Sequence, residues 1–183
     1  KGFRYLNNNN KLVKLKRINY FDFKVDPTLG SNRIYIWSRS IPLLKGSILI
    51  SYGPDMFVTK FPQTDYIGKF LYYGYGKNKT EAIIDKPHNT YLQYGINLGL
   101  VSMILYISLN LFLIIKLFNI ILKNKYNLKI YCIPIFSILV GYLFTSIFND
   151  SSLGVSTIYW TIVGFAISLI NLSNNNYNIN YKI

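Results

Sequence analysis

The pattern of apolar and polar positions splits the chain near residue 95. Before that point apolar side chains alternate with charges and turn residues; after it come long apolar runs. Ile96–Ile115 is 20 residues without a charge, enough for a helix to cross ~30 Å of hydrocarbon. Residues 130–148, with Pro134 and Gly141 inside, predict a second span, and residues 154–170 a third. Asn149-Asp150-Ser151-Ser152 reads as a tight polar turn between them, and residues 172–183 as a polar tail.

Ahead of the spans, residues 31–45 predict a short helix. Ile34, Trp37 and Ile41 recur at i, i+3 and i+7 as one apolar stripe. Ser31 or Asn32 is suited to cap it, because a short polar side chain accepts from the first-turn amides. Arg33, Trp37 and Ser40 share a face, and Arg39 lies roughly 120° away at ~100° per residue. Residues 46–86 read as an ordered loop: Gly53-Pro54-Asp55 is a turn signal, and Pro62, Gly68, Gly74 and Gly76 punctuate the rest. Gly95 and Gly99, extended by Ser102, suit close helix packing, and Asn97 and Asn110 suit hydrogen bonds between helices. The expected fold is an all-α integral membrane protein, with a large external loop over residues 1–95 and about three transmembrane helices over 96–171.

Charge gives this division an orientation. The 183 residues carry a formal +13, yet 51% are hydrophobic. Residues 1–95 hold 15 of the 20 Lys+Arg and six of the seven acids. Lys116, Lys123, Lys125 and Lys129 lie in a short connection, which the positive-inside rule places in the cytoplasm. Residues 1–95 and the turn at 149–153 then face outside and the tail faces inside. The outer segment is basic too, but long translocated segments are largely exempt from that rule. Its lysines suit anionic headgroups. A tethered external segment without a recognisable nucleic-acid motif points away from nucleic acid. The single Cys132 excludes an internal disulfide and a cysteine zinc site. The chain opens Lys1-Gly2-Phe3, with neither Met nor signal peptide. We read it as the C-terminal part of a longer membrane protein whose other helices precede it.

His88 is the only histidine. It stands where the basic half meets the apolar half, and imidazole is the side chain that moves protons near neutral pH. Three groups of residues carry a resemblance: Asn32-Arg33-Ile34-Tyr35-Ile36-Trp37; Ser51-Tyr52-Gly53-Pro54-Asp55-Met56-Phe57; and His88-Asn89-Thr90-Tyr91-Leu92-Gln93, followed by a hydrophobic span. Their order resembles the C-terminal region of the O-antigen ligase/polymerase-like family over roughly residues 30–165. The family pattern is an Arg-x-x-x-Trp helix, a Gly-x-Gly-x-x-x-Phe turn and a His-Asn-x-x-Leu segment entering a membrane helix. Ser51 stands for the first glycine of the turn, and Asn32 for a glycine often found before the arginine.

The resemblance implies a C-class-like, multi-span glycosyltransferase of the bacterial cytoplasmic membrane. It would move a glycan from a polyprenyl-diphosphate carrier to an acceptor hydroxyl without a metal or cofactor. His88 would serve the acceptor and Arg33 the donor diphosphate, with a further donor-binding arginine upstream of residue 1.

The residues fit that chemistry on physical grounds. With one His, no Cys pair and no Asp-x-Asp, cationic side chains must meet the leaving group's charge. Arg does so through parallel donors and keeps its charge; Arg39 and Lys86 are weaker candidates, and Lys69, Lys77 and Lys79 are within the same segment. A hydroxyl becomes a better nucleophile as an imidazole takes its proton. Trp37 reads first as a packing anchor, and Tyr91 and the other tyrosines first as interface residues. Asn89 belongs to the histidine motif. Asp85 is either the carboxylate that orients His88 or a solvated loop charge. Asp150 is a candidate for the mouth of the site. The competing reading is a non-catalytic membrane component whose basic loop binds anionic lipid or polymer.

Overall fold

Two helices in the computed structural model are long and apolar enough to cross a membrane. The structure describes residues 4–6, 12–14, 18–73, 82–123 and 128–180, with 4–6, 12–14, 73 and 175–180 as backbone only. It opens on a ribbon, β1 (Arg4–Leu6) antiparallel to β2 (Leu12–Lys14), so the all-α expectation needs this correction. Tyr5, Leu6 and Val13 favour extended backbone on either side of the asparagine run.

Helices follow: α1 (Arg33–Ser40), α2 (Phe57–Lys60), α3 (Tyr66–Gly68), α4 (Thr90–Asn97), α5 (Leu100–Lys123), α6 (Lys129–Thr145) and α7 (Leu153–Asn180). The helix expected over 31–45 is shorter. α1 ends at Ser40 and tightens into a 3-10 segment, Ile41–Gly46, where Pro42 supplies no amide. Asn32 occupies the N-cap position in a left-handed conformation, and its side chain does not cap the helix. The amides of Arg33 and Tyr35 are instead taken by the carbonyls of Gly30 and Pro27 in the preceding turn.

The first long helix also starts later than its charge-free run. α4 stops at Asn97, Gly99 adopts φ +99°, and α5 begins at Leu100. A left-handed residue breaks the helix, and glycine takes that conformation without a Cβ penalty. The Leu100 amide finds the Ser47 carbonyl at 2.9 Å. Gly95 and Gly99 therefore do not form one helix-packing face. A Cβ on Gly95 would come within 2.6 Å of Leu44 in the 3-10 segment, so the glycine admits that neighbour. At its far end α5 runs on past Lys116 to Lys123.

α5, α6 and α7 pack against one another. Tyr106, Leu113 and Leu117 of α5 and Tyr159, Val163, Ala166 and Ile170 of α7 are single stripes, closed by Cys132 and Leu139 of α6. Away from these stripes the helices stay apolar: Leu105, Phe112 and Leu122 on α5 and Ile158 and Phe165 on α7 are exposed. A helix apolar all round belongs in a membrane or a large core. Tyr159 donates to Asn110 Oδ1 at 2.8 Å, tying α7 to α5. α6 has 17 residues, about 25 Å of helix, shorter than the other two. α7 continues to Asn180, so the first part of the expected tail is helical.

A smaller core lies in the N-terminal half, from Tyr35 and Ile36 of α1, Phe57 of α2, Phe61, Ile84 and Ile96. Gln63 fastens the returning segment, donating to Ile84 O at 2.7 Å and accepting its amide at 3.1 Å. α4 joins the two cores. Ile96 enters the smaller one, and Tyr94 meets Tyr106 edge to face at 4.7 Å.

Candidate active site

The turn between α6 and α7, residues 146–152, is held by side chains and amides from the N-terminal half. The last carbonyls of a helix lack partners within it, and here α4 and α1 supply them. The Thr90 amide donates to Ser146 O at 2.9 Å and its hydroxyl to Asn149 O at 2.8 Å. Tyr91 donates through its hydroxyl to Leu143 O at 2.8 Å. Arg33 Nε donates to Phe148 O at 3.0 Å. Gln93 Oε1 accepts the Ser151 amide at 3.1 Å.

This clasp sets Asp150 against His88. His88 Nδ1 lies 2.8 Å from Asp150 Oδ2, with the histidine side chain 41% exposed and the aspartate 13%. An ionised carboxylate only accepts, so Nδ1 is the donor in this contact and Nε2 is the ring nitrogen that Asp150 does not engage. His88 has φ 49°, a conformation in which histidine is over-represented. It turns the chain into α4, where Asn89 caps the helix by accepting the Leu92 amide at 2.9 Å. Asp150 Oδ1 is buried and has no hydrogen-bond partner among the described residues.

Trp37 steadies the same segment. Its Nε1 donates to Pro87 O at 2.9 Å, and its ring lies 6.1 Å from that of Phe148. Arg33 spends Nη1 on Gly30 O at 3.0 Å. With Nε also committed, three of the five guanidinium donors have no partner among the described residues. Among the described residues no carboxylate pairs with it.

Other sequence candidates fall elsewhere. Arg39 is 8% exposed. Its Nε donates to Asp65 Oδ2 at 2.9 Å, and Tyr35 and Tyr20 lie across it at 4.6 and 4.8 Å. The ion pair with Asp65 holds Arg39 inside the N-terminal half. Lys69 is 2% exposed and donates to Ala82 O at 2.7 Å. Burial holds its pKa below the ordinary value, and nearby Asp65 partly restores it. Asp85 is exposed, and Asp150 takes the place beside His88 for which Asp85 was a candidate. Lys86 is exposed on a neighbouring cleft. Lys77 and Lys79 lie outside the described residues.

Sequence reasoning passed over Thr90 and Gln93, although both sit within the histidine segment. Their helical spacing, i and i+3, puts them on one side of α4, which could have signalled a shared target. Nothing local marks Phe148 O as a partner for Arg33, because backbone carbonyls carry no sequence signal.

The O-antigen ligase family model matches residues 5–107. No curated protein and no solved structure matches the chain. The matched stretch contains Arg33, Trp37, the Gly53 turn and His88, and it ends inside α5, short of residue 165 where the sequence resemblance was drawn. Asp150 lies beyond it. With more than half of the chain matched and two helices apolar and long enough to cross a bilayer, this membrane protein belongs to the O-antigen ligase family of polysaccharide assembly.

Proposed function

We propose that the chain carries the acceptor half of a glycan transfer from a polyprenyl-diphosphate carrier, with His88 as the base. Nε2 takes the proton of the acceptor hydroxyl. Its oxygen forms the new bond to the anomeric carbon, while the bond from that carbon to the diphosphate oxygen breaks and its electron pair leaves with the diphosphate. Asp150 is a positioning residue. It holds the Nδ1–H tautomer and stabilises the imidazolium as the proton arrives. Arg33 directs its open donors to the leaving diphosphate, where charge grows. No metal enters this reading. In-line attack inverts the anomeric centre.

The His88–Asp150 pair carries the reading, and the family match gives it a substrate class. The lysine-bearing connection between α5 and α6 supports a cytoplasmic location for it. The clasped turn and residues 1–95 would then lie on the outer face of a bacterial cytoplasmic membrane. Whether the acceptor is a lipid core or a second lipid-linked chain separates ligase from polymerase.

His88→Ala, in protein that inserts normally, should lower transfer by about 10²–10⁴-fold, scored by the shift of lipid-linked glycan onto acceptor. Retained transfer would return the chain to its other reading, a basic membrane component that binds anionic lipid, which its net charge of +13 favours.

A further inference from the structure

Beside the His88 segment lies a cleft of about 210 Å³. Its lining is mostly apolar, with Phe57, Val58 and Pro87 in it, and Asp55, Asp85, Lys86, Gln93 and Asn97 supply the polar groups. At that size it suits a ligand smaller than a typical drug, such as one monosaccharide unit.

Asn97 makes the cleft more than a surface dent. The residue is 6% exposed, and its Oδ1 is buried without a hydrogen-bond partner among the described residues. A buried acceptor left unmatched is costly, and a half-turn of the side-chain amide, which exchanges its oxygen and nitrogen, would bring that acceptor round to meet a donor in the cleft. The walls are fixed. Asn97 O accepts the Gly53 amide at 3.1 Å, and Ile84, next to Asp85, is pinned by Gln63.

The charge of the cleft selects its occupant. Two carboxylates and two side-chain amides face one lysine, in a chain that is otherwise strongly basic. That balance repels a diphosphate and suits neutral hydroxyl groups, which donate to carboxylate and amide oxygens. Among the described residues there is no cluster of three or more His, Cys, Asp or Glu to hold a metal. The cleft also shares two supports with the histidine. Pro87 precedes His88 and is held by Trp37, and Gln93 accepts the amide next to Asp150.

We propose that this cleft between the Gly53–Val58 segment and α4 is a hydroxyl-reading subsite for one monosaccharide of the acceptor. It rests on the assignment of His88 to the acceptor side. Asp55, Asp85 and Asn97 fix the sugar so that a hydroxyl of the same or the adjoining unit reaches Nε2.

The test uses the protein in lipid nanodiscs carrying His88→Ala, so that binding is read without turnover. Saturation-transfer NMR is recorded with methyl glycosides of glucose, galactose and N-acetylglucosamine. At least one should receive saturation, and Asn97→Leu or Asp55→Asn should weaken its binding about tenfold, a loss typical of one strong hydrogen bond. Leucine removes the unmatched Oδ1, so a merely structural Asn97 predicts unchanged or higher thermal stability with unchanged binding. If Asn97→Leu does not fold, Asp55→Asn and Asp85→Asn, at exposed positions, decide the matter. No saturation of any glycoside, or equal saturation in all variants, would overturn the proposal. So would Mn²⁺ broadening centred on Asp55 and Asp85 with no glycoside response, which would make the cleft a cation site. Retained transfer by His88→Ala is a separate result that removes the base and leaves the binding data standing.

Discussion

Removing the Asp150 carboxylate should disable His88 without touching it. The contact is 2.8 Å, with the aspartate side chain 13% exposed and the histidine 41%. A hydrogen bond to a charged group contributes about 1.5–3 kcal/mol. The partly wet imidazole places this one in the lower half of that range. Asp150→Ala should therefore cut transfer roughly ten- to fiftyfold. Asp150→Asn should be at least as damaging. Its amide, once flipped, donates to Nδ1 and leaves the proton on Nε2, where it blocks acceptance from a hydroxyl. Transfer of lipid-linked glycan to acceptor is the assay, normalised to protein in the membrane. The decisive comparison is the double variant. If Asp150 acts through His88, then Asp150→Ala adds nothing to His88→Ala. Full additivity, or an Asp150→Ala protein within twofold of wild type while His88→Ala is inactive, would refute the positioning role.

Three further outcomes are expected. Arg33→Lys replaces a fork bonded to Phe148 O and Gly30 O by a single ammonium, and should weaken donor use about tenfold in the donor-concentration dependence; wild-type behaviour would remove Arg33 from the donor site. Gly99→Ala puts a Cβ on a residue at φ +99°, 3.4 Å from Ser47 O, and should cost about 1 kcal/mol or more, seen as a lower thermal midpoint; no loss would mean the junction between α4 and α5 is not left-handed. Lys69 has a folded pKa below its ordinary 10.5 because it is buried. Its contribution to stability is lost as pH falls through the folded value and is complete above the unfolded one. Thermal stability should thus climb with alkaline pH more steeply in wild type than in Lys69→Met, and identical slopes would contradict this.

Sequence patterning was most informative where one physical rule dominates. Charge-free runs locate α5 and α7 because exposing apolar length to water is costly. Their ends were less legible, since Gly99, read as a packing residue, is a left-handed break, and the amide of Leu100 after it finds its partner, Ser47 O, far back in the chain. At the site, Arg33, Trp37 and His88 stand out by motif. Asp150 carried only a weak signal, and its pairing depends on two helices folding back so that their turn meets α4. Arg39 shows the opposite case. Its spacing from Arg33 already placed it on another face, and the structure gives that face a carboxylate, Asp65.

The clasp has a consequence for biogenesis. His88 is synthesised well before Asp150, and α5, α6 and the turn must all be threaded before the two can meet. Thr90, Arg33 and Gln93 then close on a turn that a ribosome-bound chain has not yet released. A nascent chain halted within α6 would display the histidine motif intact, yet lack Asp150, the partner that pairs with it. The two side chains would meet only once α6 and α7 have folded back on one another and their turn is seated against α4.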